Sequence, residues 1–161
     1  MNDFINTDST LNTIHKGAFL TAGDKVMNTM TIGWLQAGVM WFKKILIVPI
    51  RTSRYTKELV DESGFFTVSV PYTNDMVAAL AVTGKVSGRD CDKFLKAGIT
   101  AVRAKSVPSY VVDGCDMYYE CKVLHSIPLN KEELSEELAN YYPKSNMHTL
   151  YFAEIIEIYN K

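Results

Sequence analysis

With 161 residues, 47% of them hydrophobic and 22% charged, the chain has the length and composition of one domain with a sizeable core, outside the disordered and fibrous classes. A formal net charge of −1 excludes a field that would gather nucleic acid or an anionic membrane, so any anionic ligand must be held by local donors. Three cysteines without CxxC spacing (Cys91, Cys115, Cys121) and three dispersed histidines (His15, His125, His148) argue against a disulfide framework and against a zinc or iron site. The N-terminus, Met1 to Asn6, has no basic start and no apolar run, and no stretch nears the roughly 18 apolar residues of a membrane helix. The expectation is a soluble cytoplasmic protein with buried, reduced thiols and no metal.

In chain order, a polar lead over 1–15 precedes a short strand, Ala18 to Ala22, ended by Gly23-Asp24. Met30 to Leu35 and Lys44 to Arg51 read as further strands; Pro49 cannot donate to a ladder, so the second should be at an edge or bulged there. Tyr55 to Asp61 reads as a helix with i,i+4 pairs Arg54/Glu58 and Lys57/Asp61, closed at Ser63-Gly64, and Phe65 to Val70 as a strand stopped by Pro71. Asn74 to Val82 predicts a helix with Met76, Val77, Leu80 and Ala81 inward, and Asp92 to Ala97 a short one stopped at Gly98. Met117 to Leu124 alternates as a half-exposed strand, Lys131 to Tyr142 reads as an acidic helix halted by Pro143, and His148 to Ile158 as a long final strand. Roughly seven strands with short helices between them, in no regular alternation, predict a mainly β fold: an antiparallel β-barrel with helical decoration, one domain over 1–161. So small a barrel has no room for a planar ligand inside, which places the ligand outside, where a second subunit could cover it.

Three segments carry candidate chemistry. Arg51, Ser53, Arg54, Tyr55 and Thr56 follow an apolar strand and open a helix, a pattern that supplies guanidinium forks, hydroxyls and free helix N–H groups to a phosphate, or else an ordinary charged turn. Asn28, Thr29, Met30 and Thr31, followed by Gly33 and Trp34, offer hydrogen bonds and a soft contact to a flat heteroaromatic ring, or else a strand start with threonines suited to β structure. Ser87-Gly88 permits close approach, Asp90 can cap a helix, and Lys93 places a positive charge on a phosphate or a ring edge, or else lies in solvent.

Together these residues resemble the flavin reductase-like family of FMN-binding split β-barrels, its flavoredoxin-type branch in particular. The likeness runs from about Gly17 to Tyr159. It rests on Asn28 to Trp34, on Val48 to Glu58, on Phe66 to Pro71, on Ser87-Gly88-Arg89-Asp90 with Lys93-Phe94, on Glu120-Cys121-Lys122, and on His148 to Ile155. The resemblance implies a homodimer with FMN at the interface, its phosphate at Arg51, Ser53, Arg54, Tyr55 and Thr56, its ring against Asn28 to Thr31, and Ser87, Gly88 and Lys93 closing the site. Lys43-Lys44-Ile45 departs from the Lys-Pro pair of relatives. His148 and Trp34 are candidates to face substrate, with buried histidine and packing tryptophan as the alternatives. Implied with the family is an oxidoreductase moving electrons from NAD(P)H or a protein donor through FMN to a flavin or other acceptor. The alternatives are a carrier, store or sensor without turnover and, more remotely, a barrel for another ligand. No catalytic side chain is required, and no GxGxxG fingerprint provides a separate dinucleotide site.

Overall fold

The computed structural model describes residues 7–161; the Met1 to Asn6 segment of the polar lead lies outside the described residues. The rest of that lead is helical: α1 (Thr7–Thr13) runs into a 3-10 turn, Ile14–Lys16. There follow β1 (Ala18–Ala22), β2 (Asn28–Ile32), β3 (Gln36–Met40), β4 (Lys43–Arg51), α2 (Tyr55–Ser63), β5 (Phe65–Val70), α3 (Val77–Lys85), α4 (Lys93–Ala97), β6 (Ala101–Arg103), β7 (Tyr110–Val112), β8 (Met117–Pro128), α5 (Glu136–Ala139) and β9 (His148–Asn160). Among the described residues no helix is long and apolar enough to cross a membrane.

Seven strands form one antiparallel sheet in the order β2-β1-β5-β8-β9-β4-β3, and β6 and β7 form a separate hairpin. The sheet curls on itself. Met30 and Ile32 of β2 share one apolar core with Leu46, Val48 and Ile50 of β4, and with Val68, Tyr119 and Ile155 between them. No ladder joins the end strands β2 and β3, so the barrel is split on the side where residues 32–36 connect them. Pro49 sits beyond the last β3 partner, the Gln36–Ile47 pair, and opposes Leu150 of β9, so its missing N–H interrupts no β3 ladder.

A second core lies outside the barrel wall. Phe19 and Tyr118 turn outward from their strands to meet Ala79 and Leu80 of α3, Phe94 of α4, and Val111 and Val112 of β7. This outer layer corrects the expectation of a half-exposed strand at Met117 to Leu124, since Met117 through Cys121 are all buried. Met117, Tyr119 and Cys121 fill the barrel, and Tyr118 fills the outer core. Glu120, fully buried, accepts hydrogen bonds from the backbone N–H groups of Lys105 (2.7 Å), Ser106 (2.6 Å) and Val107 (3.2 Å) and from the Tyr159 hydroxyl (2.9 Å).

Local chemistry sets the helix ends. Gly64 and Gly98 close α2 and α4 with left-handed backbone at φ 72° and 65°, and the Asp92 carboxylate caps α4 by accepting from Phe94 and Leu95 N–H. Helix α3 starts three residues later than expected. Of the four residues expected inward, Leu80 is buried and Met76 packs partly against the outer core, while Val77 and Ala81 are exposed. The long acidic helix over Lys131 to Tyr142 does not form. Asn130 accepts from Glu132 N–H and Ser135 from Leu138 N–H, so two local caps divide the stretch into a 3-10 turn, Lys131–Glu133, and the single turn of α5. Cys115 and Cys121 are buried thiols whose pKa values burial pushes up, the first to about 12; Cys91 is only half-buried.

The β3–β4 hairpin turns on Trp41 and Phe42, both with positive φ (54° and 58°), the handedness that normally selects Asn-Gly. Val39 and Phe42 are exposed there at 70% and 105%, on a strand with no partner on its outer side.

The Glu120 cluster makes a stability prediction. Glu120→Ala removes the acceptor of three N–H groups, of which that of Val107 is buried, and is expected to reduce unfolding free energy by about 2–3 kcal/mol, whereas Tyr159→Phe should cost about 1 kcal/mol. Urea unfolding midpoints with unchanged slope measure both; equal effects would contradict the assignment of the carboxylate as the anchor.

Candidate functional site

The site begins with β4, whose buried alternation ends at Ile50 and delivers Arg51 to the barrel rim. The chain turns through Thr52-Ser53, with Arg54 N–H bonding to Arg51 O at 3.0 Å, and enters α2 at Tyr55. Arg54 occupies the N-cap position without a side-chain cap bond, so no side chain of the turn occupies the positive end of the helix. Facing it is the segment from the end of α3 to the start of α4. Ser53, Arg54, Tyr55, Thr56, Lys85, Val86, Ser87, Gly88 and Lys93 line one cavity of about 120 Å³. The expected phosphate residues beyond Arg51 and the expected closing residues are thus brought together. Arg51 lies next door, in a cavity of about 170 Å³ that shares Arg54 and is lined by Met30 to Trp34, Pro49 and His148.

The cations here are held by carbonyls. Arg51 donates to Asn146 O (2.7 Å), Arg54 to Gly84 O (2.8 Å) and the buried Lys93 ammonium to Thr83 O (2.8 Å). Arg89 differs, since it pairs with Glu58 and lies over the Tyr55 ring. Burial and the neighbouring Arg54 pull the Lys93 pKa down to about 8, despite an opposing effect of Cys91. Burial, then Arg51 and Arg54, lower His148 to about 4, so its imidazole is neutral at physiological pH. Burial and Arg51 also lower Arg54. No carboxylate accounts for any of these shifts. Arg54 repels both Arg51 and Lys93, and these like charges beside an open helix start favour an anion.

Not every expected contact points the same way. On β2 the Thr29 hydroxyl is fully buried, donates to Leu20 O (3.3 Å) and accepts from Thr21, so its hydrogen bonds are made within the sheet. Thr31 bonds to Leu80 O (2.6 Å) and the Thr83 hydroxyl (2.7 Å), tying β2 to α3 while still lining the 170 Å³ cavity. The Met30 side chain belongs to the barrel core. Asn28, 3% exposed, donates to the Thr56 hydroxyl at 2.8 Å, and a Cβ at Gly88 would stand 2.1 Å from its Oδ1. A side chain at 88 would have to displace the Asn28 amide from Thr56.

His148 takes a hydrogen bond at Nδ1 from, or gives one to, the Tyr142 hydroxyl (2.8 Å), and its ring lies 5.1 Å from that of Trp34, which is half-exposed. Sequence reading missed Tyr142, Asn146 and Lys85. Asn146 donates to the Ser53 hydroxyl at 2.8 Å and, through its carbonyl, holds Arg51. Both Tyr142 and Asn146 reach the site because β9 pairs with β4, with His148 opposite Arg51, a register that no sequence spacing announces. Lys85 lay in a loop already marked by Ser87 and Gly88.

Sign considerations give two pH predictions for the ligand-free protein. Lys93 has a folded pKa below its unfolded one, so between about pH 8 and 10.5 the unfolded state binds more protons and stability rises with pH. The unfolding free energy of the wild type minus that of Lys93→Met should therefore increase from pH 8 to 10. His148 likewise contributes stability that is present above pH 6.5 and lost as pH falls through about 4. His148→Gln should remove that part of the acid dependence. Chemical denaturation at stepped pH checks both, and pH-independent differences would refute the burial of the charged forms.

The flavin reductase like domain matches this chain over residues 13–161. The flavoredoxin of Methanosarcina acetivorans superposes with a TM-score of 0.70 at 26% identity, covering 90% of this chain and 68% of that one. The flavoredoxin of Desulfovibrio vulgaris (Miyazaki F) does so at 0.71 and 23%, over 90% and 69%. An FMN-binding domain of a flavin reductase-like enzyme from Shewanella baltica gives 0.68 and 21%, over 93% and 71%. Sequence, split barrel and the cationic rim agree: the chain belongs to the flavin reductase-like family.

Proposed function

We propose that the protein is an FMN-dependent oxidoreductase that moves electrons from NAD(P)H or a protein donor to a flavin or another acceptor, and that it works as a homodimer in the cytoplasm, residues 1–161 acting as one domain. The observation that carries this reading is the anion site of Arg51, Arg54 and Lys93 at the start of α2, adjoining a cavity bordered by β2 backbone, Pro49 and His148. That set fits a phosphomonoester attached to a flat polar ring. Ser53, Thr56 and Ser87 add neutral donors to the same cavity, and Tyr55 its first helical residue. The FMN-binding Shewanella baltica domain, which shares the fold, lends support.

Bound FMN would supply the hydride and electron chemistry. Arg51, Arg54 and Lys93 would hold its phosphate, whose charge would offset the Arg54 repulsion that adds to burial in lowering the Lys93 pKa. Thr31 would fix β2 at its place, and the neutral His148, kept by Tyr142 in one orientation, would present Nε2 rather than a second positive charge. Trp34 would cover the open side. The unpartnered edge of β3, with Val39, Met40, Trp41 and Phe42 exposed, offers the surface for a second copy.

A phosphate clamp makes FMN bind far more tightly than riboflavin, since each charge-assisted hydrogen bond contributes about 1.5–3 kcal/mol. Arg51→Ala with Arg54→Ala should weaken FMN by at least ~100-fold while leaving the weak riboflavin affinity nearly unchanged. Lys57→Ala, whose ammonium pairs with Asp61 at 2.7 Å, is the control. Fluorescence titration with both flavins reads this, and equal losses for the two would reassign the arginines to fold support. Anaerobic mixing of the flavin-loaded protein with NADH and, separately, NADPH tests turnover: bleaching is expected with at least one. Reduction by dithionite alone would indicate a carrier. Light scattering should give a dimer.

A further inference from the structure

A second recess, of about 320 Å³, shares Trp34 with the ring-side cavity and is walled otherwise by Leu129, Leu134, Leu138, Tyr141 and Tyr142. No wall residue carries a charge. The nearest cation of the anion site, Arg51, lies over the Tyr142 ring at 5.5 Å, and the Tyr142 hydroxyl is engaged by His148, so this side chain separates the recess from the positive cluster. Lys131 braces the wall by donating to Tyr142 O at 2.9 Å. Tyr141 packs edge-on against Trp34, with ring centroids 6.0 Å apart. Among the described residues neither the Tyr141 hydroxyl nor the Trp34 indole N–H has a hydrogen-bond partner in the protein, and both side chains are half-exposed at the mouth. An apolar chamber with two free donors at its rim suits a compact ring system with an acceptor oxygen, and its uncharged lining disfavours an ionised one.

We infer that this recess is a binding subsite for a neutral aromatic carbonyl compound of one or two fused rings, held by stacking and apolar contact inside and by the Tyr141 hydroxyl or Trp34 N–H at the carbonyl. As the acceptor side of the site it rests on the proposed flavin function, because Trp34 forms a wall common to both cavities. The pocket itself is defined by the fold alone. It belongs to the excursion between β8 and β9, which contributes Tyr142 and Asn146 to the ring and phosphate sides as well.

The probe is 2-acetylnaphthalene, with 2-naphthoate as its charged counterpart, titrated into the flavin-loaded full chain by calorimetry and by tryptophan quenching. FMN affinity is measured in parallel on every variant. Saturable binding is expected for the ketone, at least about tenfold tighter than for the carboxylate, because no lining residue offers the desolvated anion a cation. Leu138→Asp puts a charge on an already half-exposed wall position and should weaken the ketone by about tenfold or more with FMN affinity unchanged. Tyr141→Phe, a change that leaves packing intact, should weaken it by about threefold. Absence of saturable ketone binding, equal binding of the naphthoate, or a Leu138→Asp protein that binds the ketone as the wild type does would each overturn the inference. Ketone binding by a wild-type protein that takes up no FMN would instead overturn the flavin reading and leave the subsite standing.

Discussion

Three cations gathered within one corner of the barrel without a carboxylate between them is the arrangement on which the site depends. Such a cluster is costly in an empty protein, and the chain reduces that cost with carbonyls: Asn146 O, Gly84 O and Thr83 O each accept from one of them. Carbonyls orient a cation without neutralising it. A carboxylate in the same place would have cancelled the attraction for an external anion, as Glu58 does for Arg89. Burial first and the uncancelled guanidinium charges second depress the pKa values of Lys93 and His148, which leaves a neutral imidazole bordering the ring-side cavity.

Holding the cluster requires two layers. The barrel provides the edge strand β2 and the end of β4 beyond its β3 ladder, but the loop that supplies Lys85, Ser87, Gly88 and Lys93 comes from the helices outside it. Those helices keep their place through a core of their own, in which Phe19 and Tyr118 reach outward from the barrel wall to Leu80 and Phe94. Thr31 reinforces the join with hydrogen bonds to Leu80 and Thr83. The two layers meet most closely where Gly88 abuts Asn28, and the Asn28–Thr56 bond passes that contact on to α2.

What could be read from the residue order was whatever is local. The Arg51-to-Thr56 turn, α2 with its Gly64 stop and the strands at Ala18, Phe65 and His148 are written in neighbouring residues and lie close to where expected, whereas the cap of α4 falls on Asp92 and not on the expected Asp90. Strand β3 and the β6–β7 hairpin were not legible: β3 is exposed along most of its length although four of its five residues are not polar, and it pairs only on one side, so it lacks the alternation of a half-buried strand. Glu120 looked solvent-facing by its period, because nothing in the sequence announces a nest of N–H groups formed by residues 105–107. At the site, the residue types were right but side-chain direction was not always so. The period of β2 puts Thr29 on the outer face opposite Thr21, where its hydroxyl is taken up by Thr21 and Leu20, and Tyr142 and Asn146 enter only through the register of β9 on β4.

The Trp41–Phe42 turn has a thermodynamic corollary. Left-handed backbone at bulky aromatic residues is unfavourable by about 1–2 kcal/mol each in an isolated chain, and here the rings lie largely in water. A turn of this kind is stabilised by whatever takes up those rings. In the proposed dimer, burial of Trp41 and Phe42 against the second copy would offset the strain only after association, so folding and assembly become one equilibrium. Thermal stability would then follow protein concentration, and diluting the protein would by itself lower its melting temperature.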